Sequence, residues 1–126
     1  VETGQQQPET EHNFKGENTE TGVHNNRHWR HATGWFSYDL SDPDKEAKTL
    51  MLTYFGLDAG RDFDILINDQ HLATVNLNGF LGDDFVDVEY EIPASIIESS
   101  EGVLTVKFKA HRGSIAGGVF HVRLLK

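Results

Sequence analysis

The sequence predicts an all-β fold, an antiparallel β-sandwich, and three observations support this class. Along residues 103–110, apolar Leu104, Val106 and Phe108 alternate with polar side chains, which is the period of a half-buried strand. About seven such segments are separated by Gly, Asn, Asp and Pro, and no amphipathic helix is found between them. This pattern is typical of a β-sandwich. We prefer a jelly-roll topology, although the sequence alone does not separate it from other Greek keys.

The individual strands follow from alternation, and their ends follow from residues that favour turns. Pro43 lies in a predicted turn, because its ring presets φ. Asn68-Asp69 predicts a tight hairpin turn between two strands. Pro93 ends a strand, and residues 94–100 are predicted to form one helical turn. The predicted strands span residues 35–40, 50–55, 63–67, 71–77, 86–92, 103–110 and 118–125.

The beginning of the chain is predicted to lie outside the sandwich. Residues 1–12 contain almost no apolar side chains, which favours a linker or a disordered lead-in. Residues 16–26 are also polar and are predicted to form a loop. The sandwich domain is therefore expected to span residues 13–126.

The composition limits the classes of partner. A chain of 126 residues with a net charge of −9 is one acidic domain, and nucleic acids or anionic membranes would require a basic face. There is no long apolar run and no cysteine, so we expect no membrane span and no disulfide. The chain opens on Val1 and polar residues. We interpret it as a piece of a longer polypeptide whose targeting segment lies upstream.

Three histidines, His24, His28 and His31, lie within eight residues. Their imidazole nitrogens could bind zinc if a helix or a tight loop brought them together. Asn25-Asn26 and the nearby glycines disfavour a long helix. A polar loop rich in histidine is therefore the preferred interpretation.

The two tryptophans, Trp29 and Trp35, are candidates for contact with a sugar. Sugars stack their C–H faces on exposed indole rings, and arginine binds hydroxyl groups, so Trp29 with Arg30 could bind a glycan. The alternative is that both indoles belong to the core or cover an edge of the sandwich. Trp35 is expected on the face opposite Phe36, exposed or against a neighbouring domain.

A third group combines Arg61 and Asp62 with His111 in a later loop. Arg61 and Asp64 are expected to form a buried ion pair that fixes these loops. If the loops meet at one end of the sandwich, Arg61, Asp62 and His111 would share a polar pocket with Arg30. The predicted ligand-binding residues are therefore Trp29, Arg30, Arg61, Asp62 and His111.

The paired carboxylates do not predict catalysis. Asp87 and Glu89 alternate with apolar residues, as on a solvated strand face, whereas glycosidases hold two carboxyl groups across a cleft. Asp83 and Asp84 beside Gly82 could instead bind structural calcium, but no EF-hand-like spacing supports this. We predict no catalytic residue, no metal ligand and no cofactor, with calcium as the alternative.

Several segments resemble the β-sandwich accessory module, a domain of unknown function, of bacterial glycoside hydrolases of the β-L-arabinofuranosidase type. The resemblance covers roughly residues 14–126, nearly the whole chain. Its motifs are WRHA at 29–32, GWFSYDL at 34–40, LTYFG at 52–56, AGRDFDI at 59–65, FVDVEY at 85–90 and TVKFKAHRGSIAGGVFHVRL at 105–124.

The resemblance implies a setting rather than an activity. In the related enzymes an α/α-barrel module carries the reaction through a glutamate and zinc-bound cysteines, and this chain has no cysteine. It would be a non-catalytic C-terminal accessory domain of a secreted or periplasmic polysaccharide-degrading enzyme from a Bacteroides-like bacterium. Its partners would be the catalytic module of the same polypeptide and plant-derived polysaccharide.

Two functions remain open from the sequence. The first is weak carbohydrate binding near the catalytic module, with the Trp29 region as the site. The second is a purely structural module that packs against the catalytic domain and stabilises it. An exposed Trp29 would favour the first, and a Trp29 buried in the core would favour the second.

Overall fold

The computed structural model describes residues 1–126 as nine strands and two short helices. Neither helix has the length or the apolar character that is needed to cross a bilayer. In chain order the elements are α1 (Gln6–Glu11), β1 (Lys15–His24), β2 (Arg27–Ser41), β3 (Thr49–Phe55), β4 (Ala59–Ile67), β5 (Gln70–Asn78), β6 (Phe85–Glu91), α2 (Ala94–Ser99), β7 (Val103–Ala110), β8 (Ala116–Val119) and β9 (His121–Leu125).

The strands form two antiparallel sheets packed face to face. The larger sheet has the order β1-β2-β7-β4-β5, with β8 paired to β2, and the smaller sheet has the order β6-β3-β9. Between them lies one core in which Phe36 stacks on Phe108 at 4.8 Å and Phe63 packs edge-on against Tyr54. These side chains come from alternate positions of their strands. The predicted antiparallel β-sandwich is confirmed.

Two tight turns set the strand pairing of the larger sheet. Asn68 and Asp69 both have positive φ, 50° and 64°, and join β4 to β5. Asn25 and Asn26 have φ of 48° and 65° and join β1 to β2 in the same way. Positive φ at both central positions matches the twist of the flanking strands. The hairpin predicted at Asn68-Asp69 is confirmed.

The prediction of a loop over residues 16–26 is wrong. Residues 15–24 form β1, which pairs with β2 from Lys15↔Ser37 to His24↔Arg27. Most of β1 is exposed on both faces, so its sequence lacks the apolar alternation that reveals a half-buried strand. β2 correspondingly begins at Arg27, eight residues before the predicted start at 35.

The prediction of a linker over residues 1–12 needs a similar correction. Val1 exchanges backbone hydrogen bonds with Val122, and the hydroxyl of buried Thr3 donates to the carbonyl of Val119. α1 follows and buries Glu9 against the sandwich. Polar residues at the start of the chain therefore pair with distant partners rather than with solvent.

The remaining elements match the predicted ones, except that the last predicted strand is divided into two strands. The predicted strand 118–125 consists of β8, which pairs with β2, and β9, which pairs with β3. Phe120 lies between them and is 2 % exposed. The chain therefore passes from one sheet to the other at this residue, and its ring packs edge-on against Phe85 at 5.0 Å. The predicted turn of helix is α2.

Candidate functional site

Trp29 forms one wall of a pocket at one end of the sandwich, which we call the Trp29 pocket. The pocket has a volume of about 320 Å³, the lower end of the range for small-molecule sites. Parts of it come from the β1–β2 hairpin, the turn before β4 and the β8–β9 connection. Its lining residues are Val23, His24, Trp29, His31, Asp58, Arg61, Gly118 and Phe120.

Two glycines set the position of the Trp29 indole. Gly22 lies opposite Trp29 in the β1–β2 pairing, and a Cβ at Gly22 would lie only 2.3 Å from Trp29 Cζ2. The indole therefore lies flat across β1 in space that only glycine leaves free. On the other side, a Cβ at Gly118 would lie 3.5 Å from Trp29 Cβ and 3.7 Å from Asp58 Oδ2. Gly118 therefore lies at the bottom of the pocket, between the side chains of Trp29 and Asp58.

His31 lies beside Trp29 on the same side of β2. Their ring centroids are 4.7 Å apart at an interplanar angle of 36°. Burial lowers the pKa of His31, and the nearby Arg61 charge lowers it further, against the opposing effect of Glu20 and Asp58. His31 is therefore a neutral imidazole at pH 7, which can both donate and accept a hydrogen bond.

The pocket holds two charged side chains of opposite sign, Arg61 and Asp58, that form no ion pair within the fold. Arg61 donates from Nε to the carbonyl of Ala59 at 3.2 Å, but its buried Nη1 has no hydrogen-bond partner. Neither Arg61 nor Asp58 takes part in any of the salt bridges of the structure. A buried donor without a partner costs free energy, so a ligand that accepts from Nη1 would recover it.

Of the five predicted ligand-binding residues, the structure brings Trp29 and Arg61 together. Arg30 follows Trp29 on β2 and points to the opposite side, as alternation requires. Asp62 and His111 lie outside the Trp29 pocket. The expectation that Arg30, Arg61, Asp62 and His111 would share one polar pocket is therefore corrected.

Arg30 is engaged by the N-terminal segment. Its Nε and Nη2 donate to Glu9 at 2.6 and 2.8 Å, its Nη1 donates to Thr19, and its guanidinium lies over the Phe14 ring. The Tyr38 hydroxyl also donates to Glu9. Burial alone would raise the pKa of Glu9, but the hydrogen bonds from Arg30 and Tyr38 reverse this and lower it. We call Glu9, Arg30 and Tyr38 the Glu9 clamp.

Asp62 and His111 hold the loop after β7 in place. The backbone N–H of His111 donates to the carbonyl of Asp62, and the Ser114 hydroxyl accepts from the N–H of Asp62. The His111 ring pairs with Asp64 at 2.8 Å, and this hydrogen bond lowers the pKa of Asp64. The predicted Arg61–Asp64 ion pair is wrong, since His111 takes the place of Arg61.

The other candidate ligands lie apart from one another. His24 packs edge-on against Phe55 at 4.4 Å, whereas His31 stacks on Trp29. Asp84 accepts from the N–H of Phe85, and Asp87 accepts from the Thr53 hydroxyl. No group of three or more His, Asp or Glu side chains in the structure converges in a way that could hold a metal ion.

Three larger recesses lack the features of the Trp29 pocket. One, of about 820 Å³, lies beside α2. It is lined by lysines, glutamates and aliphatic residues and by no aromatic side chain, and Lys126 there pairs with Glu46. A second, of about 480 Å³, includes Phe14 together with Glu9 and Arg30, whose charged groups already bind each other. A third, of about 340 Å³, is lined only by four polar residues of α1. The Trp29 pocket is therefore the candidate site.

Asp58 and Phe120 are pocket residues that the sequence analysis did not single out. Asp58 lies in the break between β3 and β4, and Phe120 lies between β8 and β9. Neither residue lies in a sequence motif that indicates binding, and both come close to Trp29 only in the folded structure. The sequence indicates His31 only as a candidate zinc ligand.

These features define an antiparallel β-sandwich domain with one aromatic, charged pocket at its end. The chain belongs to a family of unknown function (DUF6805), which matches residues 1–125. The expected domain of unknown function is confirmed at this level, and its link to β-L-arabinofuranosidase-type hydrolases stays a prediction. No protein with a curated description matches the chain.

Among solved structures, two similar ones are carbohydrate-binding modules. A family 35 carbohydrate binding module from an environmental isolate has a TM-score of 0.58 and 17% identity, covering 75% of this chain and 68% of its own. The native structure of a family 35 carbohydrate binding module from Clostridium thermocellum has a TM-score of 0.60 and 10% identity, covering 87% and 89%. At these identities the likeness concerns the fold.

Proposed function

We propose that this domain binds carbohydrate through the Trp29 pocket. The observation that carries the proposal is the position of Trp29, half-buried outside the hydrophobic core beside an arginine with an unpartnered buried donor. An indole face offers stacking to sugar C–H groups, and Arg61, Asp58 and His31 offer donors and acceptors to hydroxyls. The fold shared with two carbohydrate-binding modules supports the proposal.

The setting we propose is that of an accessory domain. It would belong to a secreted or periplasmic polysaccharide-degrading glycoside hydrolase and would hold plant-derived polysaccharide near the catalytic module of the same polypeptide. It would carry no catalytic residue and need no cofactor. Such binding is weak, on the order of micromolar to millimolar, and gains from tethering to the catalytic module.

Affinity electrophoresis through gels that contain arabinan, arabinogalactan, pectin or xylan tests the proposal. One polysaccharide should retard the wild-type chain, and Trp29→Ala should abolish the retardation. Trp35→Ala is the matched control, because this second indole lies away from the pocket with Lys107 Nζ 4.5 Å from its centroid. Absence of retardation in every gel would contradict the proposal, and so would equal loss in both variants.

A structural role is the second candidate, and one observation favours it. Leu57, Phe80 and Leu81 are exposed, and exposed apolar side chains can form one part of a larger contact with another domain. Trp35, which the sequence suggested for such a contact, is instead partly covered by Lys107. Without glycan binding, stabilisation of the catalytic module would be the function to test.

A further inference from the structure

The exposed large apolar side chains are concentrated at the end of the sandwich that holds the Trp29 pocket. Five such residues occur: Val23 58%, Leu57 50%, Phe80 85%, Leu81 49% and Val103 45% exposed. Val23 lines the pocket, and Leu57 directly precedes the pocket residue Asp58. Val103 begins β7 at the opposite end, since the other end of β7, Ala110, pairs with Phe63 near Arg61.

Backbone contacts hold the loop of Phe80 and Leu81 on the turn that leads to Asp58. The loop of residues 79–84 lies on the turn after β3, where the N–H of Leu81 donates to the carbonyl of Gly56 at 3.2 Å. The N–H of Gly56 donates to the carbonyl of Asp84 at 2.8 Å. A Cβ at Gly56 would lie 2.2 Å from the carbonyl oxygen of Gly82. The loop is thus fixed two residues from Asp58.

The surface made by Leu57, Phe80 and Leu81, which we call the Phe80 ledge, suits a sugar ring better than a protein. The three side chains expose on the order of 300–400 Å², less than the surface that one partner of a specific protein interface buries. The chain segments that carry the ledge also carry three carboxylates, Asp58, Asp83 and Asp84, which are acceptors for hydroxyl groups. Aromatic and polar groups in this combination are typical of small-ligand sites.

We propose that the Phe80 ledge is a second sugar subsite, which stacks the neighbouring unit of a glycan chain whose first unit occupies the Trp29 pocket. This proposal rests on the proposed function. It specifies the ligand class as an oligosaccharide or polysaccharide of at least two units rather than a free monosaccharide. Leu57, next to Asp58, links the two subsites into one continuous surface.

The test measures affinity against chain length by calorimetry. The probes are arabinose, galactose, xylose and galacturonic acid with their linear disaccharides and tetrasaccharides. For the wild type, affinity in one series should rise about tenfold from the monosaccharide to the longer ligands. Phe80→Ala should remove this rise and leave monosaccharide affinity within about twofold. Val103→Ala, which removes an exposed apolar side chain at the other end, should behave as the wild type.

The outcomes separate the subsite from the site as a whole. An unchanged rise with chain length in Phe80→Ala, together with loss of all binding in Trp29→Ala, would overturn the subsite and leave the proposed function intact. No binding by the wild type in any series would overturn both. Sedimentation velocity tests the remaining outcome, self-association of the domain. If Phe80→Ala abolishes self-association but leaves the rise of affinity with glycan length unchanged, the ledge is a protein contact and not a sugar subsite.

Discussion

Two arginines on opposite sides of the β2 region show how the same side chain can belong to the fold or to a binding site. Arg30 gives its donors to Glu9 and Thr19, and its side chain is only 12% exposed. Arg61 keeps a buried donor without a partner in an open pocket. A satisfied buried charge fixes structure, whereas an unsatisfied one is available to a ligand.

The strongest test of this comparison removes Arg30. Arg30→Ala leaves the Glu9 carboxylate buried without its counter-charge and with only the Tyr38 hydroxyl as a side-chain donor, which should lower the free energy of unfolding by about 3–5 kcal/mol. Urea denaturation measures the loss. Lys126→Ala is the control, because its partner Glu46 and Lys126 itself are exposed, and its effect should stay below about 1 kcal/mol. A loss of similar size in both variants would show that the Glu9 clamp does not hold the N-terminal segment.

Gly22→Ala tests the binding-site half of this comparison, the Trp29 pocket, without removing a polar group. The new methyl group would occupy the space of the Trp29 indole, so the ring must leave its position in the pocket wall. We expect glycan affinity to fall about tenfold while the urea midpoint changes little, because Trp29 lies outside the core. Gly60→Ala is unsuitable as a control, since Gly60 has a positive φ. Thr21→Ala, one residue away on exposed β1, should bind as the wild type.

Acid should weaken the Glu9 clamp. The pKa of Glu9 is lowered in the fold, so the unfolded chain binds the proton more readily. The stability from this group is present above its ordinary value of 4.5 and is lost as the pH falls through the folded pKa. His31 and His121, whose pKa values are also lowered, act in the same direction from about pH 6.5 downward.

Urea midpoints for the wild type and Glu9→Gln between pH 7 and pH 3 separate these contributions. The variant keeps an acceptor for Arg30 but cannot titrate, so its curve should be shallower below pH 4.5. Parallel curves would mean that carboxylates other than Glu9 determine the acid response.

The smallest expected effect concerns the second indole. Lys107→Ala removes the ammonium group from the Trp35 ring, and exposed cation–π contacts are worth about 0.5–1 kcal/mol. Stability should fall by no more than this, and retardation by polysaccharide should not change. A gain in retardation would identify Trp35 as a second sugar-binding surface that Lys107 normally covers.

Local patterns in the sequence predicted most strands, because alternation and turn residues act within a few positions. Asn68-Asp69 and the alternation of β7 are examples. β1 was missed because an edge strand that is exposed on both faces carries no apolar period. Glu9 was assigned to a linker because its partner Arg30 is 21 residues away. The site was predicted in part for the same reason: Trp29 and Arg61 are conspicuous residue types, whereas Asp58 becomes relevant only through tertiary proximity.

The chain contains two tryptophans, and one of them forms the wall of the pocket. Its ring lies against His31 and is half-exposed, so any molecule that enters the pocket displaces water from the fluorescent indole. Trp35→Phe would leave Trp29 as the single tryptophan of the protein. The domain would then report occupancy of its own pocket by a change in emission, with no added dye.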